Sequence, residues 1–428
     1  MVARHAAAPI AAAGSFWIAL ATAFHVLVAT LVAPSAARAA KSSPAPRAAP
    51  PAPLPHEVSF EIGSNKPWVQ VKLNGSAPQW FILDSGASGG TVIARECAER
   101  LGVTHGGEKS AQIGAGAGVS VGLSRAPDVT VAVGDDTLGS PGFMVFPLAH
   151  VSPFEGRRLD GLLGRDFLER HVVEIDYARR RLRVLDPASF APPSAGVVVP
   201  VELETGLAVA QAAITPAGAK PIPCRLVIDT GVRTTIVLYH RFVIRHQLLD
   251  ESGAAINATI GGGAGGETRG DLTRLDRLQV GGLDYAQVTA IYSRDTVGVF
   301  AGDDADGIVG GEILRRSRVT FDYPHHRLIF EPHPGPPAPF DYDMSGLFLV
   351  TPGPEFQRVT VFSVAGRTPA ADAGLQKGDE ILEINGERAA TIGLEGVRGM
   401  LRKPARYHLK VARGTARLEM DLATRRLV

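Results

Sequence analysis

The sequence has little of several features that would mark common classes of protein. Its 44 basic and 43 acidic residues leave a net charge of +1, so nothing indicates nucleic acid or an anionic membrane surface as a partner. Only two cysteines occur in 428 residues, Cys97 and Cys224 in different halves, so two unpaired, buried thiols are expected instead of a disulfide framework. No G-x-S-x-G or Cys/His pattern supports a serine or cysteine nucleophile.

The histidines and glycines also fall short of known ligand-binding motifs. The 12 histidines show no metal-ligand spacing, and the pair at 325–326 is expected in a solvated hairpin turn, so no metal site is predicted. The run GAGAG at 114–118 lacks the spacing and the strand-to-helix setting of a dinucleotide loop, and no cofactor is expected. A chain of this length with 45% hydrophobic and 20% charged residues is predicted to be multidomain and globular.

The N-terminus has the features of an export signal. Residues 1–39 combine a basic start, an apolar run at 16–33 and a small-residue A-x-A site at 37–39. An uncleaved membrane anchor is the alternative, which His25 near the middle of the run disfavours. Residues 40–57 are rich in Pro and Ala and are predicted to be a linker. We therefore expect a periplasmic or secreted protein that meets the inner membrane only through an uncleaved N-terminal segment.

Asp84 stands at an unusual place, because it ends an apolar strand. The segment FILDSGASGGTV at 81–92 passes from apolar residues to this one acid and then turns through glycines and small hydroxyl residues. A lone ionised carboxylate is expensive to bury, so such an aspartate usually has fixed donors, a shared proton or a metal nearby. An aspartate that caps a hairpin turn is the alternative, and one copy of the motif does not decide between them.

The same segment is repeated in the second half of the chain. Four segments recur in the same order at an offset of 145 to 147 residues, which chance similarity would not produce. The pairs are FILDSGAS at 81 and LVIDTGVR at 226, IGAGAG at 113 and IGGGAG at 260, DGLLGRDFL at 160 and DGIVGGEIL at 306, and IDYARRRLRV at 175 and FDYPHHRLIF at 321. The chain therefore contains a duplicated lobe, and the counterpart of Asp84 is Asp229.

Each lobe is predicted to be mainly β. Apolar residues alternate with period two between Gly-rich turns, and only a short helical pattern follows each acid. Two such lobes that each carry one aspartate on a tight turn can bring Asp84 and Asp229 to a common seam. Because two carboxylates at that distance cannot both ionise, the pair is predicted to share one proton, which is the compensation that a buried Asp84 needs.

These motifs resemble those of the pepsin and retropepsin-like aspartic peptidases. The resemblance covers roughly residues 57–333 and rests on the two D-[ST]-G turns, on LLG (162–164) and IVG (308–310), and on the Gly-rich segments between them. It implies that Asp84 and Asp229 form a catalytic dyad, in which one is the general base on a water and the other, protonated, polarises the scissile carbonyl. The resemblance also implies supporting residues in the catalytic loops, Ser85, Gly86, Thr230 and Gly231, and flap residues, Gly114, Gly116, Gly261 and Gly262.

Departures from the family pattern leave activity open. After the turn, lobe one has the small residues Ala87 and Ser88, whereas lobe two has Val232 and Arg233. In retropepsins an Arg of the G-R-[ND] segment pairs with an acid two residues beyond the turn glycine. Lobe two exchanges these charges, so an inverted ion pair between Arg233 and Glu312 is predicted. The alternative function is a catalytically inactive, retropepsin-like scaffold that binds envelope proteins through its cleft and its C-terminal domain.

The C-terminal part has a different pattern and resembles a PDZ domain. Behind a Pro-rich boundary, VAGRTPAADAGLQKGDEILEINGERA (364–389) is similar to the core of that family. The resemblance implies a carboxylate-binding loop in SGLFLV, where backbone amides from Gly346, Leu347 and Phe348 hold a peptide C-terminus by strand addition. A helix at 394–403 would be the wall of the groove. Use of the domain only for packing within the chain is the alternative.

The predicted architecture is mainly β, with two retropepsin-like lobes in a bilobal acid-protease fold and a small α+β PDZ domain. The predicted boundaries are 1–39 for the signal, 40–57 for the linker, 58–190 for lobe 1, 191–333 for lobe 2 and 334–428 for the PDZ domain. The expected function is an exported aspartic endopeptidase that acts on proteins or peptides. Its PDZ domain is expected to bind C-terminal peptides for recruitment or regulation.

Overall fold

The computed structural model describes residues 55–112, 120–139, 142–203, 205–249, 256–263, 266–336 and 338–428. The predicted signal, nearly all of the predicted linker, and the flap residues Gly114 and Gly116 lie outside the described residues. Within these ranges, no helix is long and apolar enough to cross a membrane.

Lobe 1, the name kept here for residues 58–190, consists of short strands and three short helices. Its first strand begins at His56, two residues inside the predicted linker. The strands are β1 His56–Gly63, β2 Lys66–Leu73, β3 Gln79–Leu83, β4 Val92–Ala94, β5 Gly106–Gln112, β6 Ser120–Ala126, β7 Thr130–Val133, β8 Asp136–Gly139, β9 Phe143–Phe146, β10 Gly161–Leu163, β11 Val172–Asp176 and β12 Arg181–Leu185. The helices are α1 Arg95–Arg100, α2 Ser152–Glu155 and α3 Arg165–Arg170.

Lobe 2, residues 191–333, repeats this organisation with longer strands. The strands are β13 Val197–Pro200, β14 Val209–Pro216, β15 Ile222–Ile228, β16 Ile236–Leu238, β17 Ile256–Gly263, β18 Gly266–Val280, β19 Leu283–Ser293, β20 Gly307–Val309, β21 Ser317–Asp322 and β22 Arg327–Pro332. The helices are α4 His240–Arg245 and α5 Gly311–Leu314, with single 3-10 turns at Val299–Ala301 and Tyr323–His325.

The C-terminal domain, residues 334–428, has its own sheet and its own core. Its strands are β23 Leu347–Val350, β24 Val359–Val364, β25 Glu380–Ile384, β26 Glu387–Arg388, β27 Arg406–Arg413 and β28 Ala416–Ala423. Its helices are α6 Pro369–Asp372 and α7 Ala389–Leu401. The sheet has the order β23-β24-β25-β27-β28, so β23 is an edge strand.

The strands follow the alternation of the sequence. In β2 the buried Val69, Val71 and Leu73 alternate with the exposed Gln70 and Lys72. In an extended chain successive side chains point to opposite faces, so this pattern buries one face and leaves the other in water. Trp68 is among the largest fully buried side chains.

The two lobes share an unusual local topology at the ends of their aspartate-bearing strands. In lobe 1, β3 runs parallel to β10, with Leu83 opposite Leu163. In lobe 2, β15 runs parallel to β20, with Ile228 opposite Val309. In each lobe the strand that follows the acid, β4 or β16, pairs antiparallel with the other side of β10 or β20. The repeat predicted from the sequence is thus present as a repeated fold.

Strands from both lobes also join in one layer. They follow the order β13-β22-β21-β11-β12-β1, and the lobes meet where β11 pairs antiparallel with β21. This pairing places Val173 opposite Phe321, two side chains that are fully buried. Main-chain hydrogen bonding therefore links the two lobes, which gives the two aspartate turns a fixed mutual position.

Two smaller predictions are confirmed. Cys97 and Cys224 are both buried and unpaired. His325 and His326 lie in the turn between β21 and β22 and are exposed, although His325 also accepts or donates a hydrogen bond of 2.6 Å with Asp322.

Candidate active site

Each aspartate turn begins where its strand leaves the parallel pair. The amide of Asp84 donates to the carbonyl of Leu163 at 2.9 Å, and the amide of Asp229 donates to the carbonyl of Val309 at the same distance. These bonds continue the β3–β10 and β15–β20 ladders by one residue. The LLG and IVG segments therefore fix the backbone from which each carboxylate projects.

The two turns are interlocked through their hydroxyl residues. The amide of Ser85 donates to Thr230 Oγ1 at 3.0 Å, and the amide of Thr230 donates to Ser85 Oγ at 3.0 Å. Each hydroxyl then donates into the opposite lobe, Ser85 to the carbonyl of Ile228 at 2.9 Å and Thr230 to the carbonyl of Leu83 at 2.6 Å. Both side chains are fully buried and out of reach of solvent, so these bonds supply the partners that their polar groups need.

The carboxyl groups of Asp84 and Asp229 meet at the seam because both turn glycines lack a side chain. A Cβ atom on Gly86 would collide with the carboxylate of Asp229, and one on Gly231 would collide with the carboxylate of Asp84. Each glycine amide also donates to the aspartate of its own turn, at 2.9 Å in lobe 1 and 2.7 Å in lobe 2. Gly86 and Gly231 thus leave space for the opposite acid and orient their own.

The environment favours a proton on this pair of acids. Burial, followed by the negative charge of Asp84, raises the pKa of Asp229 to about 8. Burial also raises the pKa of Asp84, against the opposing charge of Lys66. Two buried acids whose ionisation is mutually unfavourable retain one proton between them at neutral pH.

Lys66 is a residue of this site that the sequence did not reveal. It begins β2, and its ammonium lies 2.6 Å from Glu155 Oε1, with both side chains nearly buried. Its positive charge opposes the rise in pKa of both aspartates. No motif marks this lysine, because it precedes Asp84 by a whole strand and reaches the site only through the fold.

The predicted flap residues of lobe 2 lie in a hairpin that contacts lobe 1. Gly261 and Gly262 are in β17, which pairs antiparallel with β18 in a hairpin. A Cβ atom on Gly262 would lie 2.5 Å from ring carbons of Phe154, which belongs to α2 of lobe 1. Glycine at this position therefore allows the flap backbone to rest on an aromatic ring from the opposite lobe.

The predicted ion pair between Arg233 and Glu312 is wrong. Glu312 is buried and pairs with Arg315 at 2.7 Å and with Arg402 at 3.1 Å, and it also accepts a hydrogen bond from Asn65. The guanidinium of Arg233 instead lies 5.2 Å from the ring centroid of Phe348 in the C-terminal domain. Glu312 has nearer cations, and Arg402, which lies outside the repeat, could not be anticipated from a comparison of the two lobes.

The predicted peptide-binding loop of the C-terminal domain is occupied by groups of its own chain. The amide of Gly346 donates to Asp343 Oδ1 at 2.6 Å, and the amide of Leu347 donates to Ser345 Oγ at 3.0 Å. Gly346 adopts a left-handed backbone, at φ 84°, which glycine tolerates without strain. Phe348, the third predicted residue, is buried, and its ring lies 5.9 Å from that of Phe154 between centroids.

Comparison with known families agrees with this architecture. Residues 69–167 and 212–313 match the aspartyl protease family model, and residues 360–413 match a PDZ domain model. A search of curated proteins finds no match. Among solved structures, a crystal structure of the HtrA3 PDZ domain bound to a phage-derived ligand (FGRWV) is 23% identical and covers 19% of this chain and 83% of its own, with a TM-score of 0.18. The chain therefore carries a retropepsin-like aspartyl protease region in two lobes, followed by a C-terminal PDZ domain.

Proposed function

We propose that the protein is an exported aspartic endopeptidase whose dyad is Asp84 and Asp229. The observation that carries the proposal is the convergence of the Asp84 and Asp229 carboxyl groups on interlocked turns, where burial raises both pKa values and the charge of Asp84 raises that of Asp229 further. An arrangement of this kind supplies one general base and one acid in the same place at neutral pH.

The proposed reaction is hydrolysis of a peptide bond by an activated water. The ionised carboxyl of the pair accepts a proton from the water, whose oxygen attacks the carbonyl carbon. The protonated carboxyl donates to the carbonyl oxygen and stabilises the charge that develops there. The carboxyl that took the water proton then gives it to the amide nitrogen, and the C–N bond breaks. The other carboxylate regains its proton from a hydroxyl of the tetrahedral intermediate, which restores the pair. The Gly86 and Gly231 amides, which donate to the two carboxylates, hold them in orientation throughout.

Arg233 no longer argues strongly for an inactive scaffold. The sequence raised the concern that a cation two residues past the turn glycine disables lobe 2. The guanidinium instead lies against Phe348 of the PDZ domain, and the Asp229 turn keeps the same hydrogen bonds as the Asp84 turn. The substitution is thus explained by contact with a neighbouring domain.

Export and recruitment are the remaining parts of the proposal. Residues 1–39 have the composition of an export signal, which supports a location in the periplasm or outside the cell. Proteins or peptides are the proposed substrates, and the PDZ domain is the proposed site for peptides presented by substrates or regulators. A fusion of residues 1–57 to a reporter that is active only outside the cytoplasm tests export, and an inactive fusion would contradict it.

The activity is tested with fluorescently labelled casein as an unfolded substrate. We expect cleavage that stops with pepstatin-like inhibitors and that is lost in Asp84→Asn and in Asp229→Asn, because a shared-proton pair needs both carboxyls. Asp303→Asn is the matched control, since Asp303 is an exposed acid of lobe 2. Absence of cleavage by the wild-type protein across the pH range would support the scaffold alternative, and near-normal turnover in either dyad variant would refute the mechanism.

A further inference from the structure

The groove of the PDZ domain faces the peptidase lobes. An added peptide strand would lie along the free edge of β23, with α7 as the opposite wall. A cavity of about 90 Å³ lies beside this edge, with Phe348 and Arg398 of the PDZ domain and Arg233 of lobe 2 among its lining residues. One water needs roughly 10–15 Å³, so this cavity has room for several waters and is small for a peptide.

The backbone groups that a peptide would use on β23 are already bonded. The amide of Thr351 donates to the carbonyl of Pro153 at 2.9 Å. The carbonyl of Leu349 accepts from Arg398 Nη2 at 2.9 Å, and the same nitrogen donates to the carbonyl of Phe154 at 2.9 Å. Pro153 and Phe154 of lobe 1 therefore occupy the position of a bound strand.

Side chains of lobe 1 also pack against the PDZ groove, as those of a bound peptide would. The ring of Phe154 lies 5.2 Å from that of Phe362 and 5.9 Å from that of Phe348, between centroids. Aromatic rings at such distances pack favourably in edge-on and tilted arrangements. At Gly156 an added Cβ atom would lie 3.1 Å from Leu394 Cβ on α7, so lobe 1 also touches the opposite wall of the groove.

A second set of hydrogen bonds connects lobe 1 to the PDZ domain. Ser64 of lobe 1 donates to the carboxylate of Glu395 from its amide at 3.0 Å and from its hydroxyl at 3.1 Å. Arg398 in turn donates to Ser64 Oγ at 3.2 Å and to Glu395 at 2.7 Å. Arg398 is largely withdrawn from water, whereas the side chain of Glu395 is about half exposed and pairs with Arg398 within α7. The bonds to Ser64 therefore tie an ion pair of the PDZ domain to lobe 1.

Residues 152–156, which contact the PDZ groove, also touch the predicted flap hairpin β17–β18. Phe154 lies between the PDZ aromatic rings and Gly262 of the flap hairpin β17–β18. Movement of this hairpin away from lobe 1 to admit a polypeptide would separate Gly262 from Phe154. Because the PDZ domain holds the ring of Phe154 in place, it restrains movement of the flap hairpin.

We propose that residues 152–156 and the PDZ groove form an intramolecular latch that restrains the flap of lobe 2. The effect of the latch on substrate cleavage rests on the proposed peptidase function, whereas the latch itself does not. An extended peptide that pairs with β23 competes with Pro153 and Phe154 for the same backbone groups, so peptide binding in the groove and the latched state exclude each other. Occupation of the groove by an external peptide thereby frees the flap.

A disulfide across the latch tests its effect on turnover. Gly156→Cys with Leu394→Cys places two thiols on Cβ atoms 3.1 Å apart, slightly closer than the usual disulfide range of about 3.5–4.5 Å between Cβ atoms. Burial raises the pKa of Cys97 to about 11 and that of Cys224 to about 12, so the native thiols stay unreactive under mild oxidation. Strain from the side chain at Gly156 is the same in both redox forms.

We expect the oxidised double variant to cleave labelled casein roughly tenfold more slowly than the reduced form, because a locked flap admits substrate rarely. Each single cysteine variant and the wild type are controls and should show no change with reductant. Equal rates for the two redox forms of the double variant would overturn the latch.

Hydrogen exchange of the flap provides a readout that does not depend on catalysis. Arg398→Met removes the bonds to Phe154, Leu349 and Ser64, and we expect faster exchange in β17 and β18. Arg358→Met is the matched control, because Arg358 is an exposed arginine of the same domain that pairs with Glu380. Faster exchange without casein cleavage in any form would leave the latch standing and refute the peptidase. Unchanged exchange in Arg398→Met would refute the latch.

Discussion

The buried acid pair makes stability fall as the pH rises toward the alkaline side. Asp229 has its pKa raised from 3.8 to about 8, mainly by burial and then by the charge of Asp84. Between these values the folded protein retains a proton that the unfolded chain has released, so this contribution to stability is full at low pH and is lost as the pH rises through the folded pKa. Asp229→Asn removes the titrating group and should flatten that dependence.

The size of the effect follows from the same shift. One pKa unit corresponds to about 1.4 kcal/mol, so a rise from 3.8 to about 8 sets a ceiling of about 6 kcal/mol on the stability gained by Asp229→Asn at high pH. Proton sharing with Asp84 and entry of water both lower this figure. We expect Asp229→Asn to raise the free energy of unfolding at high pH by at least about 1.4 kcal/mol, the equivalent of one pKa unit.

Unfolding measured at about pH 4 and at about pH 8 tests this reasoning, because retention of the proton in the folded state costs more free energy at the higher pH. Wild type, Asp229→Asn and the exposed-acid control Asp303→Asn are compared by denaturant midpoint in the same buffers. The gain of Asp229→Asn over wild type should grow from pH 4 to pH 8, whereas the control should follow wild type. A gain of the same size at both pH values would mean that Asp229 ionises normally in the folded protein, and the shared proton would be refuted.

Three further outcomes follow from the same contacts. Casein cleavage should decline as the pH passes about 8, when the pair loses its last proton; a rate that continues to climb would exclude this dyad chemistry. Thr230→Val leaves the buried amide of Ser85 without its acceptor and should cost about 1–3 kcal/mol in unfolding free energy, whereas Thr234→Val, whose buried hydroxyl has no partner, should cost much less. Glu312→Ala should cost about 1–3 kcal/mol in unfolding free energy, because it removes the buried acceptor shared by Arg315 and Arg402. A double-mutant cycle of Glu312→Ala with Arg402→Ala that proves additive would show that the two residues do not interact.

The sequence alone determined the duplicated part of the architecture. The two D-[ST]-G turns, the LLG and IVG segments and the alternating strands are local patterns that repeat at one offset, so each copy supports the interpretation of the other. The fold class and the two families follow from such patterns, and the structure and the family matches confirm both. The meeting of Asp84 and Asp229 also follows, because two symmetric lobes bring equivalent turns to their common axis.

Only the tertiary structure decided what surrounds these elements. The partner of Arg233 was predicted wrongly because Phe348 and Arg402 belong to a domain outside the repeat, so lobe symmetry contains no information about them. Lys66 and Phe154 are likewise single residues in no periodic pattern, and they reach the site through long-range packing. Contacts between domains depend on the shapes of two folded surfaces, which no local segment encodes. The sequence therefore predicted which residues form the candidate dyad, whereas the fold decided that the PDZ groove beside it is already occupied.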